Sequence, residues 1–204
     1  MKHVLVLDYG SGNLRSAQRA LERVGAQVTV SSDPAAAQGV DGLVVPGVGA
    51  FAACMAGLRA VGGPRLVRTW VANGRPLLGI CVGMQVLFDR GIEHGVESEG
   101  LGVLAGRVER LVAPVLPHMG WNTVAAPAGS RLFAGLDAGT RYYFVHSYAA
   151  HSVDGAAGGL ATYAEHGEQF VAAVEAGAVS ATQFHPEKSG DAGATLLENW
   201  LATG

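Results

Sequence analysis

The chain has 204 residues, 49% of them hydrophobic and 15% charged, and its formal net charge is −3. That length supports one sizeable core, the apolar share excludes a disordered chain, and the lack of a lysine/arginine block argues against nucleic acid or an anionic membrane as a partner. The first apolar run, Val4 to Leu7, is too short for a signal peptide or a span and ends in Asp8; no other stretch nears the roughly 20 apolar residues of a spanning helix, so a cytoplasmic protein is expected. Two cysteines, Cys54 and Cys81, are too few for a disulfide framework or a cysteine zinc site. No metal and no cofactor is expected.

Val4 to Leu7 reads as a strand buried on both faces, followed by a turn of small residues, Asp8 to Asn13. Leu14, Ala17, Leu21 and Val24 recur at helical spacing, and Gly25 stops the helix. Gln27 to Val30 is a second strand, and Asp33-Pro34 looks like a cap opening a helix. Gly42 to Val45 is a third strand, leading into Pro46-Gly47-Val48-Gly49. Helices are predicted over Ala50 to Leu58, Pro64 to Ala72 and Met84 to Phe88. A fourth strand, Leu77 to Ile80, runs straight into Cys81. Strands alternating with helices imply a parallel sheet covered on both faces. The second half carries strand-like runs at Val103 to Leu111, Gly120 to Val124, Arg141 to Val145, Leu160 to Tyr163, Phe170 to Val174 and Val179 to Gln183. A helix over Asp191 to Leu201 closes the chain, with Leu196, Leu197 and Trp200 facing inward. The expected fold is a three-layer α/β domain spanning 1–204, its mostly parallel central sheet extended by antiparallel or mixed strands.

Gly79-Ile80-Cys81-Val82-Gly83 has the glycine-x-nucleophile-x-glycine pattern of a nucleophile elbow at a strand-to-helix junction. The glycines permit a sharp turn, and the nearby helix N-terminus favours a thiolate. A small buried core cysteine would fit the same pattern; Cys54, within a helical stretch, is read that way. His185-Pro186-Glu187 follows another strand-like run. The imidazole suits a general base, and the carboxylate two residues on suits its orientation. Ligands gather at the carboxyl ends of strands in such sheets. Oxyanion donors are expected from the backbone of Val82 and of Val48 or Gly49. By these residues alone the set also fits a cysteine peptidase or a thiol redox sensor.

Gly79 to Gln85, together with Gln183 to Lys188, resembles the class I (triad) glutamine amidotransferases. Asp8 to Leu14, Pro46 to Phe51, Pro117-His118-Met119-Gly120-Trp121-Asn122 and Tyr143 to Tyr148 are similar to the glutaminase subunits of imidazole glycerol phosphate synthases. The likeness covers nearly the whole chain, in order. It implies that Cys81, His185 and Glu187 hydrolyse glutamine through a cysteine thioester. It also implies a heterodimer in which ammonia passes to a (β/α)₈ cyclase subunit that makes imidazole glycerol phosphate and an aminoimidazole carboxamide ribotide for histidine biosynthesis.

By position in that family, Gly49, Gln85, Ser147 and Tyr148 match residues that hold glutamine. Gln85 lies about one helical turn past Cys81 and can face the same pocket. Asn13, Trp121, Tyr143 and Lys188 match residues of the partner interface or ammonia passage. Without the resemblance, Trp121 reads as core and Lys188 as a solvated charge. Val82 stands where leucine is frequent in the family, and Ala149-Ala150 lacks an aromatic often found there. A glutaminase serving another synthase, of the pyridoxal phosphate or anthranilate type, is the alternative.

Overall fold

The computed structural model describes residues 1–153 and 159–203. In chain order the elements are β1 (His3–Leu7), α1 (Leu14–Arg23), β2 (Gln27–Ser31), β3 (Gly42–Gly47), α2 (Phe51–Ala60), α3 (Gly63–Ala72), β4 (Leu77–Cys81), α4 (Val82–Gln85), β5 (Phe88–Glu93), β6 (Val96–Glu99), β7 (Leu104–Arg110), β8 (His118–Thr123), β9 (Arg141–His146), β10 (Tyr148–Ala150), β11 (Leu160–His166), β12 (Glu168–Ala176), β13 (Val179–Thr182) and α5 (Gly190–Leu201). Single 3₁₀ turns occupy Pro34–Ala37 and Pro186–Lys188.

The central sheet has seven strands in the order β11-β12-β13-β4-β3-β1-β2. From β13 to β2 all neighbours are parallel; β11 and β12 extend the sheet antiparallel. The parallel strands read as apolar runs because helices cover both faces; β3 and β4 are buried throughout. Chain order reverses between β1 and β3, and right-handed crossovers therefore put α1 on one face and α2 and α3 on the other. On one face α1 packs with α5, and elsewhere α2 packs with α3. Trp200 of α5 is 1% exposed and lies so close to Gly42 that a Cβ there would come within 2.8 Å of its ring. Leu196 and Leu197 are buried beside it.

Two smaller sheets add the rest: β10-β7-β5-β6, and the pair β8-β9. Here the sequence reading and the structure differ. The helix expected over Met84 to Phe88 is a single turn, Val82–Gln85, and Phe88 already begins a strand. The β5-β6 hairpin turns on His94 and Gly95, both at positive φ, as the tight two-residue hairpin turns require. Its many charges hide the apolar alternation; on β6, the edge strand, such charges are usual. At Asp33 the expected cap exists, its carboxylate accepting from Ala35 N at 2.8 Å, but the helix stops after one 3₁₀ turn.

The register gathers the functional motifs. Gly47 pairs with Cys81 across β3 and β4, and Ile80 pairs with Thr182 across β4 and β13. The loop after β3, the turn at Cys81 and the segment leading to His185 therefore leave the sheet side by side. The loop after β1 joins them at the point where strand order reverses, the usual position of a ligand crevice.

Candidate active site

Cys81 is the last residue of β4 and the N-cap of α4, with φ 56° and ψ −116°. Left-handed backbone at a residue other than glycine costs about 1–3 kcal/mol and persists only where its surroundings enforce it. The flanking glycines show how. A Cβ on Gly83 would sit 1.8 Å from the Val45 carbonyl oxygen, and one on Gly79 would sit 2.9 Å from the Gly83 oxygen. Without side chains at these positions, α4 settles directly onto β3 and β4 and forces the turn at Cys81. The thiol is nearly buried. Gln183 Nε2 donates to its sulfur at 3.7 Å, and the sulfur reaches the Val145 carbonyl at 4.0 Å.

His185 caps the 3₁₀ turn Pro186–Lys188, which swings Glu187 back beneath the ring. Nδ1 of His185 and Oε1 of Glu187 are 2.6 Å apart, and both side chains are almost wholly buried. The His185 backbone is tied to β9: its N–H donates to Tyr143 O at 2.9 Å, and Ser189 Oγ, which accepts from Tyr143 N, donates to His185 O at 2.7 Å. Among the described residues Nε2 has no partner at hydrogen-bond geometry, which leaves it for a substrate or leaving group beside the Cys81 sulfur. Burial works against a charged ring here. The Cys81 sulfur and the Glu187 carboxylate outweigh it and raise the imidazole to about 9. At neutral pH the ring therefore carries a proton beside the sulfur.

In the loop after β3, of the two expected donors Val48 and Gly49, the Val48 N–H is already engaged. Val48 N–H donates to Ser11 Oγ at 3.1 Å, and Ser11 Oγ donates back to Val48 O at 2.7 Å. Cys54 Sγ also approaches Val48 O, at 3.3 Å. The Val48 N–H is thus occupied and is not a standing oxyanion donor. Across the planar 48–49 peptide the Gly49 N–H points opposite to the Val48 carbonyl, away from Ser11 and Cys54. Gly49 itself has φ +90° and open space around its Cα. The Val82 N–H opens α4 and has no partner within the helix. Ser11 is hidden in the sequence within a turn of small residues, with nothing to mark its hydroxyl.

Val48, Gly49, Cys81, Val82, Gln85, Ser147, Tyr148 and His185 line one cavity of about 200 Å³. Lys188, Glu93 and His146 line it as well. Glu93 escapes the sequence reading because β5 is not anticipated there; its carboxylate accepts from Phe51 N at 3.1 Å and puts negative charge on the wall. Gln85 is buried, and both its amide hydrogens are spent inside the protein, on Tyr148 O at 2.8 Å and Gln183 Oε1 at 3.0 Å. A larger open cleft of about 720 Å³ lies beside Asp89, Arg107 and His151, but neither cysteine is among the described residues that line it.

Trp121, Tyr143 and Lys188 come together beside this cavity, with Lys188 also on its wall. Trp121 pairs with Tyr143 across β8 and β9, ring centroids 5.9 Å apart, and the Lys188 ammonium stands 5.8 Å from the Tyr143 ring. Trp121 is 53% exposed rather than core, and Met119 on the same face is 66% exposed. Asn13 has a local job, accepting from Ser16 N as the N-cap of α1. Among the described residues no helix is long and apolar enough to cross a membrane, and no cluster of three metal-ligating side chains occurs.

Known proteins carry the same pattern. Residues 5–203 match the family described as glutamine amidotransferase class-I. The imidazole glycerol phosphate synthase subunit HisH of Nocardia farcinica is 67% identical over 98% of this chain and 97% of its own length. HisH of Thermobifida fusca is 63% identical, covering 98% of both chains. A crystal structure of a glutamine amidotransferase superposes with a TM-score of 0.75 at 25% identity, covering 97% of this chain and 98% of that one. PurLQS from Thermotoga maritima shares the fold, with a TM-score of 0.71 at 18% identity over 98% of each chain. A parallel sheet ending in a cysteine elbow, and a match that runs from the first strand to the last helix, place this chain in the class I glutamine amidotransferase enzymes and, within them, among the HisH subunits.

Proposed function

We propose that this chain, as a single amidotransferase domain, hydrolyses glutamine to glutamate and ammonia and hands the ammonia to a cyclase subunit of (β/α)₈ architecture. The observation that carries the reading is the Cys81 elbow facing the His185–Glu187 pair across one small cavity. Cys81 Sγ attacks the side-chain carbonyl carbon of glutamine. The C–N bond breaks, and the proton on His185 goes to the departing ammonia. Water then attacks the thioester, His185 takes its proton, and glutamate leaves with the thiol restored. Glu187 holds the ring by Nδ1 and stabilises its charged form. Donors to the oxyanion come from Val82 N–H and from Gly49 or Val48, each such donor being worth about 3–4 kcal/mol of transition-state stabilisation.

Glutamine is held by Gly49, Gln85, Ser147 and Tyr148, and the Glu93 carboxylate suits its α-ammonium group. The exposed Trp121 and Lys188, with the half-buried Tyr143 between them, suit a partner surface and the ammonia passage, with Asn13 at its margin. In this reading the cyclase makes imidazole glycerol phosphate and the aminoimidazole carboxamide ribotide of histidine biosynthesis. The reducing cytoplasm suits two cysteines that are both free thiols.

The deciding measurement is glutamine hydrolysis by the chain alone and with the cyclase and its nucleotide ligand. A low basal rate that the liganded partner raises supports the reading; a high rate indifferent to any partner overturns it. The clamp on Val48 allows a finer test. Ser11→Ala removes both hydrogen bonds to that residue, a change worth about 1 kcal/mol or roughly fivefold. If Val48 N–H must turn inward to act, the partner-free glutaminase rate rises by about that factor. An unchanged or lower rate leaves Gly49 as the donor.

A further inference from the structure

On the cavity wall and behind it, two buried histidines, His146 and His118, stand in a hydrogen-bonded chain that the catalytic steps above leave unused. His118 on β8 pairs with His146 on β9, and His118 Nδ1 lies 2.9 Å from His146 Nε2. At one end Asn122 Nδ2 is 3.3 Å from His118 Nε2. At the other end His146 Nδ1 is 3.0 Å from the Tyr148 carbonyl, the same oxygen that accepts from Gln85.

The proton on each ring can be placed from both ends. A carbonyl only accepts, so His146 must carry its proton on Nδ1, which leaves its Nε2 an acceptor. His118 Nδ1 must then be the donor and its Nε2 an acceptor. From the opposite end, Asn122 Oδ1 accepts from Thr123 N at 2.9 Å and Nδ2 donates to Glu165 O at 2.9 Å. That fixes the amide with its donor toward His118, whose Nε2 must accept. The two derivations agree, and both rings are neutral.

The chain continues past Tyr148. One Gln85 hydrogen goes to the Tyr148 carbonyl and the other to Gln183 Oε1, so the Gln183 amide is oriented with its nitrogen toward the Cys81 sulfur. Each link from Asn122 to the nucleophile has a fixed donor: donation runs from Asn122 to the Tyr148 carbonyl, which accepts from both His146 and Gln85, and from Gln85 through Gln183 to the sulfur.

We propose that His118 and His146, each in one fixed neutral tautomer, are positioning residues for glutamine turnover, which hold the Tyr148 carbonyl and, through Gln85 and Gln183, the Cys81 thiol. Its kinetic consequence rests on the glutaminase reading above. The surroundings support neutrality. Burial lowers His118 to about 4 with help from His166, whose ring stacks on it at 4.2 Å. Burial lowers His146 to about 3, and His118, His166 and His185 push the same way while the Tyr148 carbonyl opposes them. A charge on His146 would also work against the imidazolium of His185.

Two measurements test this. In the full chain labelled with ¹⁵N-histidine, with signals assigned by single substitution, both rings are expected as the Nδ1–H neutral tautomer from pH 8 down to about pH 5. Either ring found as Nε2–H, or charged at pH 7, overturns the proposal. In the complex with the cyclase, His118→Leu is expected to lower kcat for glutamine about tenfold, the scale of one positioning hydrogen bond. His118→Asn, which keeps an N–H donor where Nδ1 stood, is expected to recover most of that loss. Equal kcat values for the leucine and asparagine variants overturn the relay, because a merely structural ring would show in stability alone. Should His118→Leu fail to fold, the tautomers of the unsubstituted chain decide. Should the unsubstituted complex fail to hydrolyse glutamine, the glutaminase reading fails, and the tautomers still decide the hydrogen-bonded chain.

Discussion

Cys81→Ser is expected to abolish glutamine-dependent synthesis by the reconstituted complex while leaving synthesis from added ammonium salts intact. The serine hydroxyl fits the same nearly buried, positive-φ corner, because it is no larger than the thiol and requires no new backbone geometry. What it lacks is acidity: an alcohol gives up its proton far less readily than a thiol, and the sulfur that helps hold the His185 imidazolium is gone. Removing the nucleophile of a coupled triad typically costs roughly 10³-fold or more, so the glutamine route should fall to background. Ammonia supplied from solution bypasses the thiol and still reaches the cyclase. Parallel assays with glutamine and with ammonium separate the two routes. If both activities fall together, Cys81 serves the assembly of the complex and not the acyl transfer.

What is legible in the sequence, and what is not, follows from how local each requirement is. The elbow can be read because the constraint lies within five residues: a nucleophile on a sharp turn needs glycine on either side. The His185–Glu187 pair can be read for a similar reason, since Pro186 fixes a two-residue return. The parallel strands announce themselves as apolar runs. The β5-β6 hairpin does not, because strands bearing Asp89, Arg90 and Glu93 on β5 and Glu97 and Glu99 on the edge strand β6 lack the apolar pattern that marks a buried strand. With it goes Glu93, the acidic wall of the cavity. The Ser11 clamp and the histidine chain are out of reach for another reason. Ser11 meets Val48 across 37 positions, and Gln85 meets Gln183 across 98. Nothing local to either residue distinguishes it from its neighbours until the sheet brings the loops together. Gln85 illustrates the point. Its spacing from Cys81 places it at the pocket, yet its amide hydrogens turn inward to the protein, which makes it a holder of Tyr148 before it is a contact for substrate.

Gly83→Ala is the second large effect. A Cβ at this position would meet the Val45 carbonyl oxygen at 1.8 Å and the Pro46 carbonyl carbon at 3.0 Å, all backbone of β3 and unable to rotate aside. Relief requires α4 to lift off the sheet. Because that seating holds Cys81 at φ 56°, the turn would relax and the sulfur would move. Overpacking of this kind costs about 1–3 kcal/mol or more, and a displacement near 1 Å at a reacting atom costs roughly 10²-fold in rate. The variant should therefore lose stability in urea and at least two orders of magnitude in glutamine turnover. Gly74→Ala provides the contrast. Gly74 also has positive φ, +66°, but a Cβ there would find nothing within 4 Å. Its cost should be the left-handed backbone alone, about 1–2 kcal/mol, with turnover by the folded fraction unchanged. A Gly83→Ala protein that keeps its kcat would mean that the turn at Cys81 is set by something other than the close seating of α4, and the two glycines beside the nucleophile would then need another explanation.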